Sequence, residues 1–163
     1  MLPDIYEAIE KEVSCLCWCK VGPANVKHYD IAEASTPTLT LLINYLSSEH
    51  FSQMIERITG CQIFQSLELR RFKKGDYTLI HDETLLPPGL DLIYSFATTC
   101  EWEDAWGGQL NYISDEEALL TLKPNKNELT LVYRDEAMLG FVKYMNASAG
   151  DAARIELSGL WTI

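Results

Sequence analysis

The residues that could do chemistry lie in the segment GDYTLIHDET, residues 75–84. His81 and Glu83 are two positions apart, so their side chains point to the same face if the segment is a β-strand. A histidine and a carboxylate on one strand face can supply two of the three protein ligands of a non-haem iron(II) site, and a second histidine completes it. The sequence must therefore be searched for that third ligand.

The other histidines offer no obvious third ligand. The chain contains three histidines, His28, His50 and His81, and none follows His81. A ligand from His28 or His50 would require the fold to bring a distant segment to this strand. Without one, His81 is expected to be a half-buried, hydrogen-bonded residue whose tautomer is set by Asp82 or Glu83.

Two helices are predicted before the region that is rich in strands. Pro37 suits a first helical position, with Thr36 or Ser35 as the preceding cap, and apolar residues follow it at helical spacing. A second predicted helix starts after a serine cap in SSEHFSQMIERITG and ends at Gly60. The two form a predicted helical hairpin over about residues 36–59.

Strand-like runs fill residues 61–163, separated by turn sequences such as KKGD, LPPG and KPNKN. Many short strands that follow one helical hairpin predict a mainly β, antiparallel jelly roll backed by helices. CLCWCKV and VKHYDI, near the N-terminus, also alternate as strands do. The length of 163 residues suits one domain with its own core.

Three cysteines, Cys15, Cys17 and Cys19, alternate in CLCWCKV and would share one face of a strand. Zinc sites more often pair C-x₂-C motifs with a second half elsewhere, which this sequence does not show. We therefore expect these cysteines to pack as small apolar residues. An odd total of five cysteines fits a reducing compartment.

The formal net charge of −11 argues against nucleic acid or an anionic membrane as a direct partner. A basic protein remains compatible with it, as does a simple solvated acidic surface. The acidic N-terminal segment has no signal-peptide pattern, so we expect localisation in the cytoplasm, the nucleus or both. No apolar run reaches the length of a membrane span.

The order of several motifs resembles a known family. GDYTLIHD, LDLI, a Trp-Gly-Gly turn, LLT, NELTLVYRD and FVK succeed one another in this chain. The same order is found in the C-terminal domain of the iron(II)- and 2-oxoglutarate-dependent prolyl 3-hydroxylases that modify a small-subunit ribosomal protein. The likeness is close from Leu69 onward and looser before it. It implies a double-stranded β-helix, the second of two barrels in the parent protein, in which only the first barrel is catalytic.

The resemblance places His81 and Glu83 at the His-x-Asp ligand positions, with Glu83 in place of the usual Asp. It places Val142, in GFVKYMN, where the distal histidine of a catalytic barrel would lie. Tyr144 and Asn146 are close in sequence, but neither is a common iron ligand. The resemblance therefore implies a vestigial metal site and no iron(II) or 2-oxoglutarate requirement for this chain, although the parent family needs both.

Arg154 lies near the position of the basic residue that pairs with 2-oxoglutarate in catalytic members of the family. An arginine fork matches a carboxylate with two hydrogen bonds, which makes the role chemically reasonable. The alternative is an arginine at a strand start that is exposed, or paired with Glu156 or Asp151. We regard Arg154 as a vestigial co-substrate residue.

Trp102 and Trp106 precede a Gly-Gly turn and are expected to anchor the core, with the glycines supplying positive φ. The acids around them, with SDEEAL from Ser114 on, could form a negative rim that suits a basic ribosomal or translation-linked partner. A solvated acidic surface explains these acids equally well.

Three functions remain open from the sequence. The resemblance favours a non-catalytic binding and scaffold domain that docks on its catalytic sister domain and on protein partners. The first alternative is a diverged active oxygenase that uses His81, Glu83 and Arg154. The second is a jelly-roll binder of a sugar or small molecule, which would need an open cavity.

Overall fold

The computed structural model of the chain describes residues 3–22, 27–79, 88–96, 101–114 and 117–163. Its helices are α1 (Pro3–Ser14), α2 (Pro37–Leu46) and α3 (Glu49–Thr59). Its strands are β1 (Cys19–Val21), β2 (Lys27–Ala32), β3 (Ile63–Phe72), β4 (Tyr77–Thr78), β5 (Gly89–Phe96), β6 (Leu110–Ser114), β7 (Glu117–Leu122), β8 (Lys126–Arg134), β9 (Leu139–Val142) and β10 (Arg154–Thr162). None of these helices is long and apolar enough to cross a membrane.

The strands form two antiparallel sheets that face each other. The large sheet has the order β1-β2-β3-β10-β5-β8, and the small sheet has the order β7-β6-β9. β4 pairs with β2, and its Thr78 Oγ1 also accepts a hydrogen bond of 2.7 Å from the backbone N–H of Val142 in β9. Strands that are distant in sequence are thus neighbours in both sheets. The arrangement agrees with the expected antiparallel jelly roll.

Both predicted helices are present, and an additional one begins the chain. Ser48 caps α3 by accepting a hydrogen bond of 3.2 Å from the backbone N–H of Phe51, and Gly60 ends it with φ 79°. No helix was predicted for Pro3–Ser14. Its apolar residues recur every three or four positions and are buried, which is the signal that was overlooked.

The cysteine-rich segment differs from its prediction. Only Cys19 lies in a strand, because β1 covers the last three residues of CLCWCKV. Cys15, Cys17 and Cys19 are exposed thiols along one open groove, so the expectation that they are packed in the interior was wrong. Among them, Trp18 is the anchored residue, since its ring lies 4.5 Å from the guanidinium carbon of Arg71.

The main hydrophobic core lies between the helices and the outer face of the large sheet. Alternate residues of β5 and β10 point to the helices, and Leu92, Leu157 and Trp161 are completely buried there. Ile9 and Ile55 meet them from α1 and α3. The other face of the same strands points between the sheets, so the core fixes which side chains enter the jelly-roll interior.

A buried ion-pair network joins β1, β2 and β3. Asp30 is 3 % exposed, and its carboxylate lies 2.9 Å from Lys20 Nζ, 2.6 Å from Arg71 Nη2 and 3.3 Å from Lys73 Nζ. Burial alone would favour the neutral acid, but these hydrogen bonds and charges outweigh it and lower the pKa of Asp30 to about 2. Asp76 is fully buried and shares Lys20 with it at 2.8 Å.

We expect Asp30→Asn to remove a stabilising term that depends on pH. Because the pKa of Asp30 is lower in the folded state, its contribution is complete above the ordinary aspartate pKa of ~3.9 and is lost as pH falls toward about 2. Denaturation at pH 7 should show a loss of about 2 kcal/mol relative to the unmodified chain, shrinking toward pH 2. The exposed Asp151→Asn is the control, and a loss that does not change with pH would contradict the assignment.

Candidate functional site

A polar cavity lies between the two sheets, at the centre of the jelly roll. Its volume is about 230 Å³, and it is lined by inward-facing residues of β3, β5, β8 and β10 and by residues of β4, β6 and β9. Its charged lining consists of Arg70, Asp91, Arg134 and Glu156. The cavity is the candidate site because charged groups in a barrel interior must either be paired or hold a ligand.

Arg154 points inward from the start of β10 and is only 1 % exposed. Its Nε donates a hydrogen bond of 2.6 Å to Glu156 Oε2, and its Nη2 forms an ion pair with the same oxygen. Its Nη1 donates to the carbonyl oxygens of Gly108 at 3.0 Å and of Leu122 at 3.4 Å. A 2-oxoglutarate carboxylate would have to displace Glu156, which is itself 2 % exposed, to reach this guanidinium.

A second charged pair lines the cavity on the large sheet. Arg134 Nε lies 3.3 Å from Asp91 Oδ2, and the hydroxyl of Tyr112 donates a hydrogen bond of 3.0 Å to the same oxygen. Burial raises the pKa of Asp91, and the hydrogen bonds and charges from Arg134 and Tyr112 act against that rise. Burial, together with the Asp91 charge, raises the pKa of Tyr112. Both residues therefore depend on their partners inside the barrel.

Val142, the residue at the expected distal-histidine position, faces this cavity and is 3 % exposed. Its neighbour across the strands is Thr78, three residues before His81. A side chain at position 142 therefore points into the interior of the barrel. The aliphatic side chain of Val142 has no lone pair with which to coordinate a metal ion.

Two of the remaining ligand candidates, His81 and Glu83, lie outside the described residues. The structure does describe the others. Asn146 accepts a hydrogen bond of 2.8 Å from Ser148 N–H, while His28 Nδ1 lies 2.7 Å from Asp76 and His50 is exposed on α3. Tyr144, whose side chain is 54 % exposed, lies on the outer surface. Within the described ranges, no three His, Cys, Asp or Glu residues are arranged to hold a metal ion.

The tryptophan pair forms a wall of the second, smaller core. The rings of Trp102 and Trp106 meet edge to face at 5.5 Å, and Trp102 Nε1 donates a hydrogen bond of 2.8 Å to Gly107 O. Gly107 and Gly108 have φ of 80° and 76°, as the turn required. A Cβ on Gly107 would lie 1.9 Å from the carbonyl oxygen of Tyr144, so only glycine fits there.

Three charged residues of the cavity were missed by the sequence analysis: Arg70, Asp91 and Arg134. Each lies within a segment whose pattern is otherwise typical of a strand. The segments are LELRRF for Arg70, LDLIYSF for Asp91 and LTLVYRD for Arg134. The available signal was a charge at an alternating position of a strand whose other face is apolar. Such a charge is normally assigned to solvent, and only a second sheet above it turns that face into an interior.

Comparisons with known proteins agree with the geometry. Residues 4–163 match the protein family described as oxoglutarate and iron-dependent oxygenase degradation C-term. The chain belongs to this family. Among its relatives, the prolyl 3-hydroxylase OGFOD1 of Mus musculus is 42 % identical over 99 residues, covering 58 % of this chain and 18 % of the relative. The OGFOD1 of Xenopus laevis is 36 % identical over 127 residues, covering 72 % and 23 %.

Solved structures agree on the fold. A Pseudomonas putida prolyl-4-hydroxylase superposes with a TM-score of 0.68 at 14 % identity, covering 99 % of this chain and 88 % of that one. A prolyl hydroxylase of Trichoplax adhaerens gives 0.63 at 13 % identity, covering 98 % and 75 %. The predicted double-stranded β-helix is thus confirmed. The chain spans less than a third of the length of the curated relatives that it matches.

Removing one member of the buried ion pair should be far more damaging than removing both. Arg154→Ala leaves the Glu156 carboxylate buried without its guanidinium, and we expect it to lower the free energy of unfolding by about 3–5 kcal/mol. The double variant Arg154→Met, Glu156→Met removes both charges at similar volume and should lose less than half of that. Urea denaturation measures both. Equal losses would show that packing, rather than charge pairing, dominates at this place.

Proposed function

We propose that this chain is the non-catalytic binding and scaffold domain of an iron(II)- and 2-oxoglutarate-dependent prolyl 3-hydroxylase that acts on a small-subunit ribosomal protein. The observation that carries the proposal is Val142, an aliphatic residue that faces the cavity. The family resemblance puts the distal histidine of a catalytic barrel at this position. The sequence has no histidine after His81 that could replace it. A site with His81 and Glu83 alone would be one protein ligand short of the usual three.

The state of Arg154 supports the same proposal. In a catalytic barrel a basic residue at this position must offer its hydrogen bonds to the co-substrate. Here Nε and Nη2 are engaged by Glu156, and Nη1 is engaged by two backbone carbonyls. The arginine has become part of the internal framework of the barrel, which favours neither iron(II) nor 2-oxoglutarate as a cofactor of this chain.

The metal site can be tested directly by anaerobic titration with Mn(II), a substitute for iron(II), read by water-proton relaxation with and without 2-oxoglutarate. We expect no binding at high micromolar metal, because only His81 and Glu83 are available. A catalytic prolyl-4-hydroxylase serves as the positive control. Binding that tightens with 2-oxoglutarate and is lost in His81→Ala would instead establish the alternative, a diverged active oxygenase that uses His81, Glu83 and Arg154.

The partner that we propose first is the catalytic sister domain of the same parent protein, in the cytoplasm, the nucleus or both. The relatives contain more than twice as much sequence outside the matched part as within it. On this chain, the outer face of β8 presents Leu129, Leu131 and Tyr133, which are 46 %, 38 % and 53 % exposed. Within the described strands β8 is one edge of the large sheet, and an exposed apolar edge strand is a natural docking surface.

This docking can be measured with the mouse relative. The part of that prolyl 3-hydroxylase outside the matched segment should bind the present chain in calorimetry. Leu131→Glu should weaken the interaction at least about tenfold, because it places a charge in an apolar contact. Leu41→Glu, a change at a leucine of α2 that is 69 % exposed, is the matched control. Equal effects of the two variants would exclude β8 as the contact surface.

A link to translation is the wider part of the proposal. The acids around the Trp102–Trp106 turn are Glu101, Glu103 and Asp104, and all three are exposed. They supply the negative rim that a basic ribosomal or translation-linked protein would recognise by charge. In this arrangement the scaffold domain would hold a basic partner near the catalytic barrel, while the chemistry is done by that barrel.

A further inference from the structure

Three exposed thiols on one groove are a feature of this protein that the proposed function does not use. Cys15, Cys17 and Cys19 are exposed, whereas Cys61 is completely buried. Cysteine is among the residue types most often buried, because it packs well as a small apolar side chain. Three exposed thiols within five residues contribute little to packing, so their chemistry becomes the question.

The residues between the thiols hold all three on the same side of the chain. Leu16 is 8 % exposed and belongs to the main core, and the Trp18 ring packs against that core and lies over the guanidinium of Arg71. Because Leu16 and Trp18 point to the interior, the alternation of the segment turns the three thiols outward. All three line one open groove of about 660 Å³. The fold therefore presents the thiols together.

The groove offers the thiols neither a metal site nor a cation. Its acidic lining residues are Glu33, which is exposed, and Glu68, which is paired with Arg70. No lysine or arginine of the described ranges lines it, so a bulky anion attached to a thiol gains no ion pair there. Among the residues that the structure describes, no three His, Cys, Asp or Glu side chains are arranged to hold a metal ion. A bond between sulfurs needs only two of them.

Cys15 and Cys17 are the pair that can be joined with the least disturbance of the fold. In an extended chain the Cα atoms of residues two apart are about 6.6 Å from each other, near the upper end of the disulfide range of about 4.4–6.8 Å. The backbone must therefore bend to bring the sulfurs together. Residues 15–18 lie between α1 and β1 and can bend, whereas Cys19 is fixed in β1 opposite Ile31.

We propose that Cys15 and Cys17 form a reversible disulfide by exchange with a small-molecule disulfide, of which oxidised glutathione is the representative. The Cys17 thiolate attacks one sulfur of oxidised glutathione, whose S–S bond breaks and releases the first glutathione thiolate. Cys15 then attacks the Cys17 sulfur and releases the second. The two protein thiols are oxidised by two electrons, and their two protons end on the two molecules of reduced glutathione.

Such a bond is labile, which suits the reducing compartment expected from the cysteine count. A disulfide across one intervening residue is strained, and strained or exposed disulfides are reduced easily. Disulfides in reducing compartments are usually transient for this reason. The inference does not depend on the proposed function, because the groove and the barrel cavity share no lining residue among those that the structure describes.

The test is thiol mapping of the folded 163-residue chain after equilibration with excess oxidised glutathione. Free thiols are blocked with N-ethylmaleimide, disulfides are reduced, and the thiols released are labelled with iodoacetamide. Trypsin gives one peptide, residues 12–20, that contains all three cysteines of the groove. We expect iodoacetamide on Cys15 and Cys17 and maleimide on Cys19. Before reduction, the same peptide should carry one maleimide and no glutathione, and excess reduced glutathione should restore all three thiols.

Matched variants test the pairing. Cys17→Ser should abolish the disulfide, whereas the control Cys19→Ser should leave its yield within about twofold of the unmodified chain. The oxidised chain should also show weaker tryptophan fluorescence than the reduced chain, because a disulfide quenches a neighbouring indole. That difference should vanish in Trp18→Phe.

The contribution of the fold is measured by repeating the mapping in urea. In the unfolded chain nothing fixes Cys19, so Cys17 should pair with Cys19 as often as with Cys15. The same selectivity in urea as in the folded chain would overturn the inference. So would the absence of iodoacetamide on residues 12–20, a stable glutathione adduct on this peptide, or disulfide-linked dimers on a non-reducing gel.

Discussion

Strand β10 is the element on which the rest of this barrel depends, because it lies between β3 and β5 and must satisfy two different environments. Its outward residues Leu157 and Trp161 are completely buried against the helices. Its inward residues Arg154 and Glu156 are just as inaccessible, although both carry charge. Such charges are tolerated only as a pair with further hydrogen bonds, and the carbonyls of Gly108 and Leu122 complete that requirement.

The same requirement shapes the interior of the barrel. In an oxygenase the interior of the barrel must keep a histidine, a carboxylate and a basic group available to iron and co-substrate. In this chain the cavity presents an aliphatic side chain at position 142 and the carboxylate of Glu156, which is already bound to the guanidinium of Arg154. Asp91, Arg134 and Tyr112 form a second closed set across the same space. The interior is polar, and the hydrogen bonds of these side chains are made to other groups of the protein.

The ion-pair network of β1, β2 and β3 belongs to a chain with a net charge of −11. Asp30 and Asp76 are buried in it and share Lys20, while Arg71 and Lys73 lie beside Asp30. Two acids of this acidic chain therefore order its strands instead of facing solvent.

Periodicity and residue order determined much of this protein. The helical hairpin followed from Pro37, the serine cap and Gly60, and the missing distal histidine followed from the absence of any histidine after His81, which is a property of composition and order. The family resemblance likewise rested on motifs in sequence. The predictions of the hairpin and of the fold succeed because capping and alternation act over a few residues.

Only the tertiary structure decided which charges are inside. Asp91 and Arg134 lie on a strand face that would be solvated in a single sheet, and the small sheet covers it. Arg154 could equally have been exposed, and the pairing with Glu156 required β10 to be central. Likewise, the ion-pair network gathers residues that are as far apart in sequence as Lys20 and Asp76. Burial and long-range pairing depend on what packs above a strand, and no local pattern contains that information.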